Sequence, residues 1–389
     1  MIRTISPIAA ALMMAALVAC DAPSDTPITP PIPVPPPMPI TGTAVPSMVN
    51  VDIAVSKLMT EWHIPGGAVG VMKDGRLVYA RGFGYADMEA QKEATPDALF
   101  RIASVSKPVT KAAILKLVEQ GKFSLDAPAF ALLPNLTPLP GATVDPLLAF
   151  ITVSHLLEHT GGWDRDMSGD PMFLPLQIAA ATSTPAPASA EAIVRYMMGK
   201  PLDFTPGSRF AYSNFGYAVL GRIIEHVSGK SYEQFVKETV LAPAGVTRMQ
   251  LGHTLYADRL PDEVRYYDIF AAPSVFPGVS SPVPSPYGGF NLEAMDSHGG
   301  WVASVVDLLR FEKMWIAPPP QGIWGHDGAL PGTYSVMMRT ANGLAWVALF
   351  NARDMGGNSQ FQSKAAGVLQ QAIMAVTEWP AHDFFNTFQ

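Results

Sequence analysis

Apolar and polar positions alternate or cluster so as to place strands at both ends of the folded part of the chain and helices between them. Val49 to Trp62 carries the spacing of an amphipathic helix, and the apolar run Gly67 to Lys73 follows as a strand. Asp74-Gly75 then marks a hairpin turn into Arg76 to Gly84. A second hairpin signal, Asn342-Gly343, lies between the strand patterns Tyr334 to Thr340 and Leu344 to Phe350, and a closing helix spans about Ser359 to Thr377. Strands from the two ends most simply share one sheet. The predicted fold is therefore α/β (α+β), a central antiparallel β-sheet from about 65–100 and 320–389 flanked by helices, with a mostly helical insertion over about 105–300. Proline-rich loops interrupt the insertion at 165–190 and 253–290.

One helix start inside the insertion is sharply marked by the stretch "RIASVSKPVT" at 101–110. A proline deep in a helix breaks it, whereas one in the first turn lacks only an N–H that has no intrahelical partner. Pro108 therefore sets the start at about Ser104, with Val109, Ala113, Ile114, Leu117 and Val118 on the apolar face and Gly121 as the stop. Ser104 and Lys107, three residues apart, then share a face, while Ser106 points roughly the other way.

The residues before 48 carry no core pattern. Arg3 precedes an apolar run from Ile8 to Ala19, too short to span a bilayer and suited to a signal peptide over 1–19. The run ends in Leu17-Val-Ala-Cys20, which resembles the lipobox of bacterial lipoproteins, and Cys20 is the one cysteine of the chain. The competing reading is a signal cut elsewhere, or an uncleaved anchor, with Cys20 incidental. Residues 20–47 read as the lipidation site and a proline-rich linker, extended over up to about 80 Å at about 3.1 Å per residue; a proline-rich ligand for a partner domain is the alternative. The expected location is the bacterial cell envelope, as a periplasmic lipoprotein tethered through Cys20. Asp21 resembles an inner-membrane retention signal, and inner versus outer membrane stays open. With 48% hydrophobic and 15% charged residues the remainder has ample material for an enzyme core, and a net charge of −7 without a basic run excludes nucleic acid as a partner.

The marked helix start also carries chemistry. A helix N-terminus favours developing negative charge, and a buried lysine loses its proton and becomes a base for a serine three residues away. The same spacing fits a plain N-cap serine beside a solvated lysine. Downstream, Tyr212-Ser213-Asn214 precedes an apolar helix from Phe215 to Val227 that ends at Gly229, and His326-Asp327-Gly328 precedes the C-terminal hairpin. His155-Leu-Leu-Glu-His159 fits the H-x-x-E-H pattern of a zinc peptidase. The competing account is a scaffold helix that Gly161-Gly162 breaks.

Taken with "FRIASVSKPVTKAAILKLVEQGKFSLD", "SHLLEHTGGW", "FTPGSRFAYSNFGYAVLGRIIEHVSG" and "GGWVASVVDLLRF", these motifs resemble the penicillin-recognising serine hydrolases over nearly all of residues 48–375. The nearest members in pattern are class C β-lactamases, D-alanyl-D-alanine peptidases, D-aminopeptidases and family VIII esterases. The resemblance implies Ser104 as the acyl-accepting nucleophile, Lys107 as its basic partner and Tyr212 as a proton shuttle whose phenol needs positive charge nearby, which Lys107 supplies. It implies an oxyanion hole from the backbone N–H groups of Ser104 and Ala329, with Gly328 admitting substrate close to the backbone. Asn214 would bond the lysine and the substrate, or cap the helix from Phe215. His326 stands where β-lactamases carry a lysine, so carboxylate anchoring is expected to be weaker unless Arg165, Arg265 or Arg353 compensates. The expectation is an acyl-enzyme hydrolase for small ester, amide or peptide substrates, without cofactor or metal and tethered to a membrane. Its rivals are a D-amino-acid or muramyl-peptide amidase, carboxypeptidase or β-lactamase of the same fold, and a non-catalytic penicillin-binding sensor. Loops 163–175 and 266–290 are expected to roof the pocket. Oligomeric state is left undetermined.

Overall fold

In the computed structural model, which describes residues 38–353, 355 and 360–388, both chain ends meet in one antiparallel sheet. The expected signal peptide 1–19, Cys20 and the linker as far as residue 37 lie outside the described residues. The strands are β1 (Ile40–Thr41), β2 (Gly66–Lys73), β3 (Arg76–Asp87), β4 (Ile323–Leu330), β5 (Thr333–Thr340) and β6 (Leu344–Phe350). They pair in the order β1-β3-β2-β6-β5-β4, and Lys92–Glu93 adds to β3. The five longest helices among the described residues are α1 (Val49–Glu61), α2 (Ser106–Glu119), α3 (Asn214–Ser228), α4 (Val305–Trp315) and α5 (Phe361–Met374).

The period of two in β6 shows how the sheet is covered. Trp346, Ala348 and Phe350 face one core with Val51, Val55 and Leu58 of α1 and Phe361, Ala365 and Leu369 of α5. Ala345, Val347 and Leu349 face the other, with Val305, Leu308 and Leu309 of α4 and the helical insertion. A central strand buried on both faces has no polar side to present, which is why β6 reads as a continuous apolar run. Gly70 of β2 marks the closest approach of α4, since a Cβ there would sit 2.8 Å from Leu309 Cδ1.

The insertion is pinned where it leaves and rejoins the body. Phe100–Arg101 and Trp301–Ala303 pair antiparallel with each other, and Gln250–Leu251 pairs on the far side of the latter. Two boundaries differ from expectation. Residues 38–47, assigned to the linker, belong to the body: β1 pairs with Phe83 and Gly82, Pro39 O accepts from Gly84 N at 2.9 Å, and Val45 is buried. Prolines are tolerated there because an edge strand leaves alternate N–H groups unpaired anyway. The α-helix expected from Ser104 begins at Ser106, preceded by a single 3₁₀ turn, Ala103–Val105. Pro108 still falls in its first turn. Within 165–190 the chain also forms helices, among them Pro175–Thr182 with a proline at its first position.

Phe361 clamps α5 to the sheet, its ring lying 6.0 Å from Trp62, 5.7 Å from Tyr334 and 5.3 Å from Phe350. Phe361→Ala is expected to cost about 3–5 kcal/mol, read as a lowered urea midpoint at unchanged slope; an unmoved midpoint would show that α5 is held by other contacts.

Candidate active site

The chain enters α2 through a backbone conformation that L-residues avoid. Ala103 has φ +46°, and the fully buried Ile102 and Val105 on either side hold it there. The next residue, Ser104, is half-buried and turns its Oγ into the gap between α2, α3 and β4. Ser335 Oγ donates to Ile102 O at 2.6 Å, tying this turn to the sheet. Gly328 is the contact point: a Cβ there would lie 2.4 Å from Ile102 O and 2.7 Å from Ser104 N. Its missing side chain therefore admits the backbone of Ser104. Leu330 and Thr333 are register partners that close the turn between β4 and β5, and Ala329, opposite Tyr334, lies on the outermost strand of the sheet.

Lys107 is fully buried, and its Nζ donates to three oxygens: Ser104 Oγ at 3.0 Å, Asn214 Oδ1 at 2.7 Å and His298 O at 2.9 Å. Burial pushes its pKa well below the ordinary 10.5; the Asp170 carboxylate pulls it up and the Arg165 guanidinium pushes it further down. Tyr212 Oη donates to the same Ser104 Oγ at 2.8 Å. Its phenol is pushed up to about 12, chiefly by burial, with the Ser104 hydrogen bond and Arg165 opposing. This corrects the expectation that positive charge beside Tyr212 acidifies it: burial outweighs the nearby Arg165 guanidinium, and the phenol keeps its proton at neutral pH. Ser106 faces the core, fully buried, and accepts from Trp301 N at 3.3 Å.

Asn214 is the first residue of α3, and the cap is Ser213, whose Oγ accepts from Gly216 N at 3.1 Å. The Asn214 amide is spent within the protein, on Lys107 through Oδ1 and on Asp170 through Nδ2 at 2.6 Å. Asp170 escaped the sequence reading; its one local signal is Asp-Pro, an N-cap before a turn, and it does accept from Met172 N at 3.1 Å.

Of the arginines considered, Arg165 stands over the ring of Tyr212, 4.9 Å from its centroid. Arg265 pairs with Glu89 at 3.2 Å and Arg353 with Asp268 at 3.8 Å. His326 is half-buried, and its Nδ1 donates to Asp327 O at 2.8 Å. Burial, then Lys107, pushes its pKa down to about 4, so it is neutral. His159 stacks on Tyr212 with centroids 4.5 Å apart and accepts from Ser213 N at 3.2 Å; its pKa falls to about 3 for the same reasons. His155 and His159 do not share a helix face, because the helix ends at Leu157 and His159 has φ +56°. His155 Nδ1 accepts from Thr152 N at 3.2 Å. Among the described residues no group of three or more His, Cys, Asp or Glu is arranged to hold a metal.

A cavity of about 460 Å³ opens beside these residues, with Tyr212 and His326 in its wall. Loop 163–175 supplies Arg165 and Asp170 to the site, but loop 266–290 does not line this cavity. It packs on the β4–β5 turn, where a Cβ on Gly332 would meet Pro286 and Tyr266.

Residues 51–319 match the family model described as Beta-lactamase. The chain belongs to that family. Esterase EstB of Burkholderia gladioli is 30% identical over 280 residues, 67% of this chain and 68% of that protein. Protein flp of Staphylococcus aureus is 27% identical over 274 residues, 70% of this chain but only 50% of the relative. Among solved structures, D-amino acid amidase from Ochrobactrum anthropi complexed with D-phenylalanine superposes with a TM-score of 0.63 at 23% identity, covering 84% of this chain and 99% of that one, a likeness of fold. This β-lactamase-family protein is thus a serine hydrolase related to esterases and β-lactamases.

The charges flanking Lys107 give opposite expectations. Arg165→Gln raises the pH at which Lys107 takes up its proton and Asp170→Asn lowers it, followed by ¹⁵N NMR of labelled lysine; shifts of the same sign in both variants would show that neither charge acts directly.

Proposed function

We propose that the protein is an extracytoplasmic hydrolase that cleaves small esters or amides through an acyl-enzyme on Ser104. The observation that carries this reading is one serine oxygen held at 3.0 Å by an amine stripped of solvent and at 2.8 Å by a phenol that keeps its proton. With Lys107 unprotonated, its two N–H bonds serve Asn214 Oδ1 and His298 O and its lone pair faces Ser104 Oγ, so that as Oγ attacks the substrate carbonyl its proton passes to Lys107 Nζ. The N–H groups of Ser104 and Ala329 take the carbonyl oxygen as it becomes negative. Tyr212 gives its proton to the leaving oxygen or nitrogen as that bond breaks, and Lys107 returns the proton to Tyr212. Water then attacks the acyl-enzyme and Lys107 takes its proton; as the bond from the acyl carbon to Ser104 Oγ breaks, Lys107 passes that proton to Oγ, which restores the serine and the neutral amine and releases the acid.

Asn214 holds Lys107 in place and is itself held by Asp170, while burial, with Arg165 adding to it, shifts the amine toward its unprotonated form. A neutral His326 supplies no fixed cation for a substrate carboxylate, which favours uncharged esters over β-lactams. An amide reading stays chemically open, because Tyr212 also suits protonation of a leaving amine. The membrane tether is part of the proposal: a lipid on Cys20 and a proline-rich spacer hold the hydrolase at the envelope.

Three parallel assays test the reading, with short-chain aryl esters, a chromogenic cephalosporin and a D-alanyl-D-alanine peptide. Ser104→Ala lowers ester turnover about 10³-fold or more, while Ser106→Ala loses about 1–3 kcal/mol of stability from its buried hydrogen bond and keeps turnover. Equal loss in a folded Ser106→Ala protein refutes the assignment, and a stable stoichiometric adduct in place of turnover identifies a sensor. Metabolic labelling with palmitate is expected to mark the parent and not Cys20→Ser.

A further inference from the structure

The cavity beside Tyr212 has a direction relative to the bond being cut, and the inference drawn from it rests on the acyl-enzyme reading. Along β4, Ala329 lies next to the turn, Gly328 lies against the backbone of Ser104, and His326 and Trp324 follow away from the turn. Side chains two apart share a strand face, so Trp324, His326 and the α-carbon of Gly328 face the same way. The cavity wall includes Trp324 and His326, which displaces the cavity from Ser104 by two to four strand residues, about 7–13 Å at about 3.3 Å per residue. The displacement is away from Ala329 and therefore away from the oxyanion. Tyr212, which also lines the cavity, bonds Ser104 Oγ through its hydroxyl. The atom that Tyr212 protonates is the leaving atom, so whatever is attached to that atom projects toward the cavity.

The wall states what that group is. Leu115, Phe210, Trp315 and Trp324 make it apolar, and Tyr212 and His326 face it uncharged. Lys111 is the one lysine or arginine in the lining, and Glu158 pairs with it at 2.9 Å. Trp315 is fixed in place, its indole N–H donating to Val240 O at 2.8 Å, so the pocket does not depend on a ligand to satisfy it. At about 460 Å³ it has room for a bulky group and falls in the size range of small-molecule sites.

We infer that this cavity is the leaving-group site and that it selects esters of apolar, uncharged alcohols, with aryl-alkyl alcohols preferred over short or anionic ones.

The test compares acetates of ethanol, 3-phenylpropanol and 3-(4-carboxyphenyl)propanol, whose alcohols leave with closely similar ease. The parent protein is expected to favour the phenylpropyl ester over the ethyl ester by about ten- to a hundredfold in kcat/KM, from burial of the phenyl group, and to lose most of that gain on the carboxylated ester. Trp324→Ala and Phe210→Ala are expected to lower the phenylpropyl-to-ethyl ratio. Phe210 is 65% exposed, so its removal leaves the core intact. A second series varies the acid instead, comparing ethyl acetate with ethyl 4-phenylbutyrate. Should the two variants change the acid ratio and leave the alcohol ratio alone, the cavity holds the acyl group and the inference is wrong. Turnover that needs Ser104 but shows a flat alcohol ratio overturns the pocket assignment alone. Turnover that survives in Ser104→Ala overturns the acyl-enzyme reading and the pocket assignment together.

Discussion

Everything around the site is arranged to bury one amine. Lys107 leaves water completely, which is costly for a charged group unless oxygens replace the solvent or the proton is lost. Its three acceptors come from three parts of the chain: the turn before α2, the start of α3 and the segment at 298. These parts must therefore keep fixed distances. A second buried polar layer, one turn along α2, enforces them. Thr110 Oγ1 donates to Ser297 O at 2.5 Å and lies 2.6 Å from Tyr232 Oη, which in turn accepts from Trp301 Nε1 at 2.9 Å. Gly221 of α3 lets Ser297 pack against the helix, where a Cβ would stand 2.4 Å from its Oγ. The same contacts that stabilise the join between helical insertion and sheet thus set the state of the amine.

Two local rules are broken at the serine, and both breaks serve its orientation. A left-handed alanine before Ser104 and a glycine in the middle of an edge strand are each unfavourable in isolation. Together they let the turn pack against β4, with the α-carbon of Gly328 beside Ile102 O and the Ser104 N–H. An edge strand is ordinarily a liability for pairing with other chains. Here the edge strand is also the one that carries Ala329, the second donor of the proposed chemistry.

Charge in the site is balanced rather than concentrated. Asp170 and Arg165, five residues apart in one loop, act on Lys107 with opposite sign, and two histidines are held neutral by burial. The resulting surface has hydrogen-bond donors in quantity but little fixed charge. That suits transfer of protons between neutral groups and an uncharged substrate, and it separates this chain from a site built around a permanent cation.

How much of this was legible in the sequence follows from distance along the chain. The continuous apolar runs of β2 and β6, the turn pairs Asp74-Gly75 and Asn342-Gly343, Pro108 in a first turn and the three-residue spacing of Ser104 and Lys107 are all local signals, so the sheet, the helix start and the core pair could be placed without coordinates. Tyr212 and His326 were reached through the resemblance of ordered motifs, and packing brings both to the wall of one cavity. What only the tertiary structure decided are contacts between segments that no period relates. Asp170 meets Asn214 across 44 residues, Arg165 lies over Tyr212, residues 38–47 complete the sheet edge, and the cavity walls come from four separate parts of the chain. Local spacing determines which face a side chain occupies. Which other segment lies against that face depends on how whole elements fill space together, and a loop such as 163–175 has no period from which to read it.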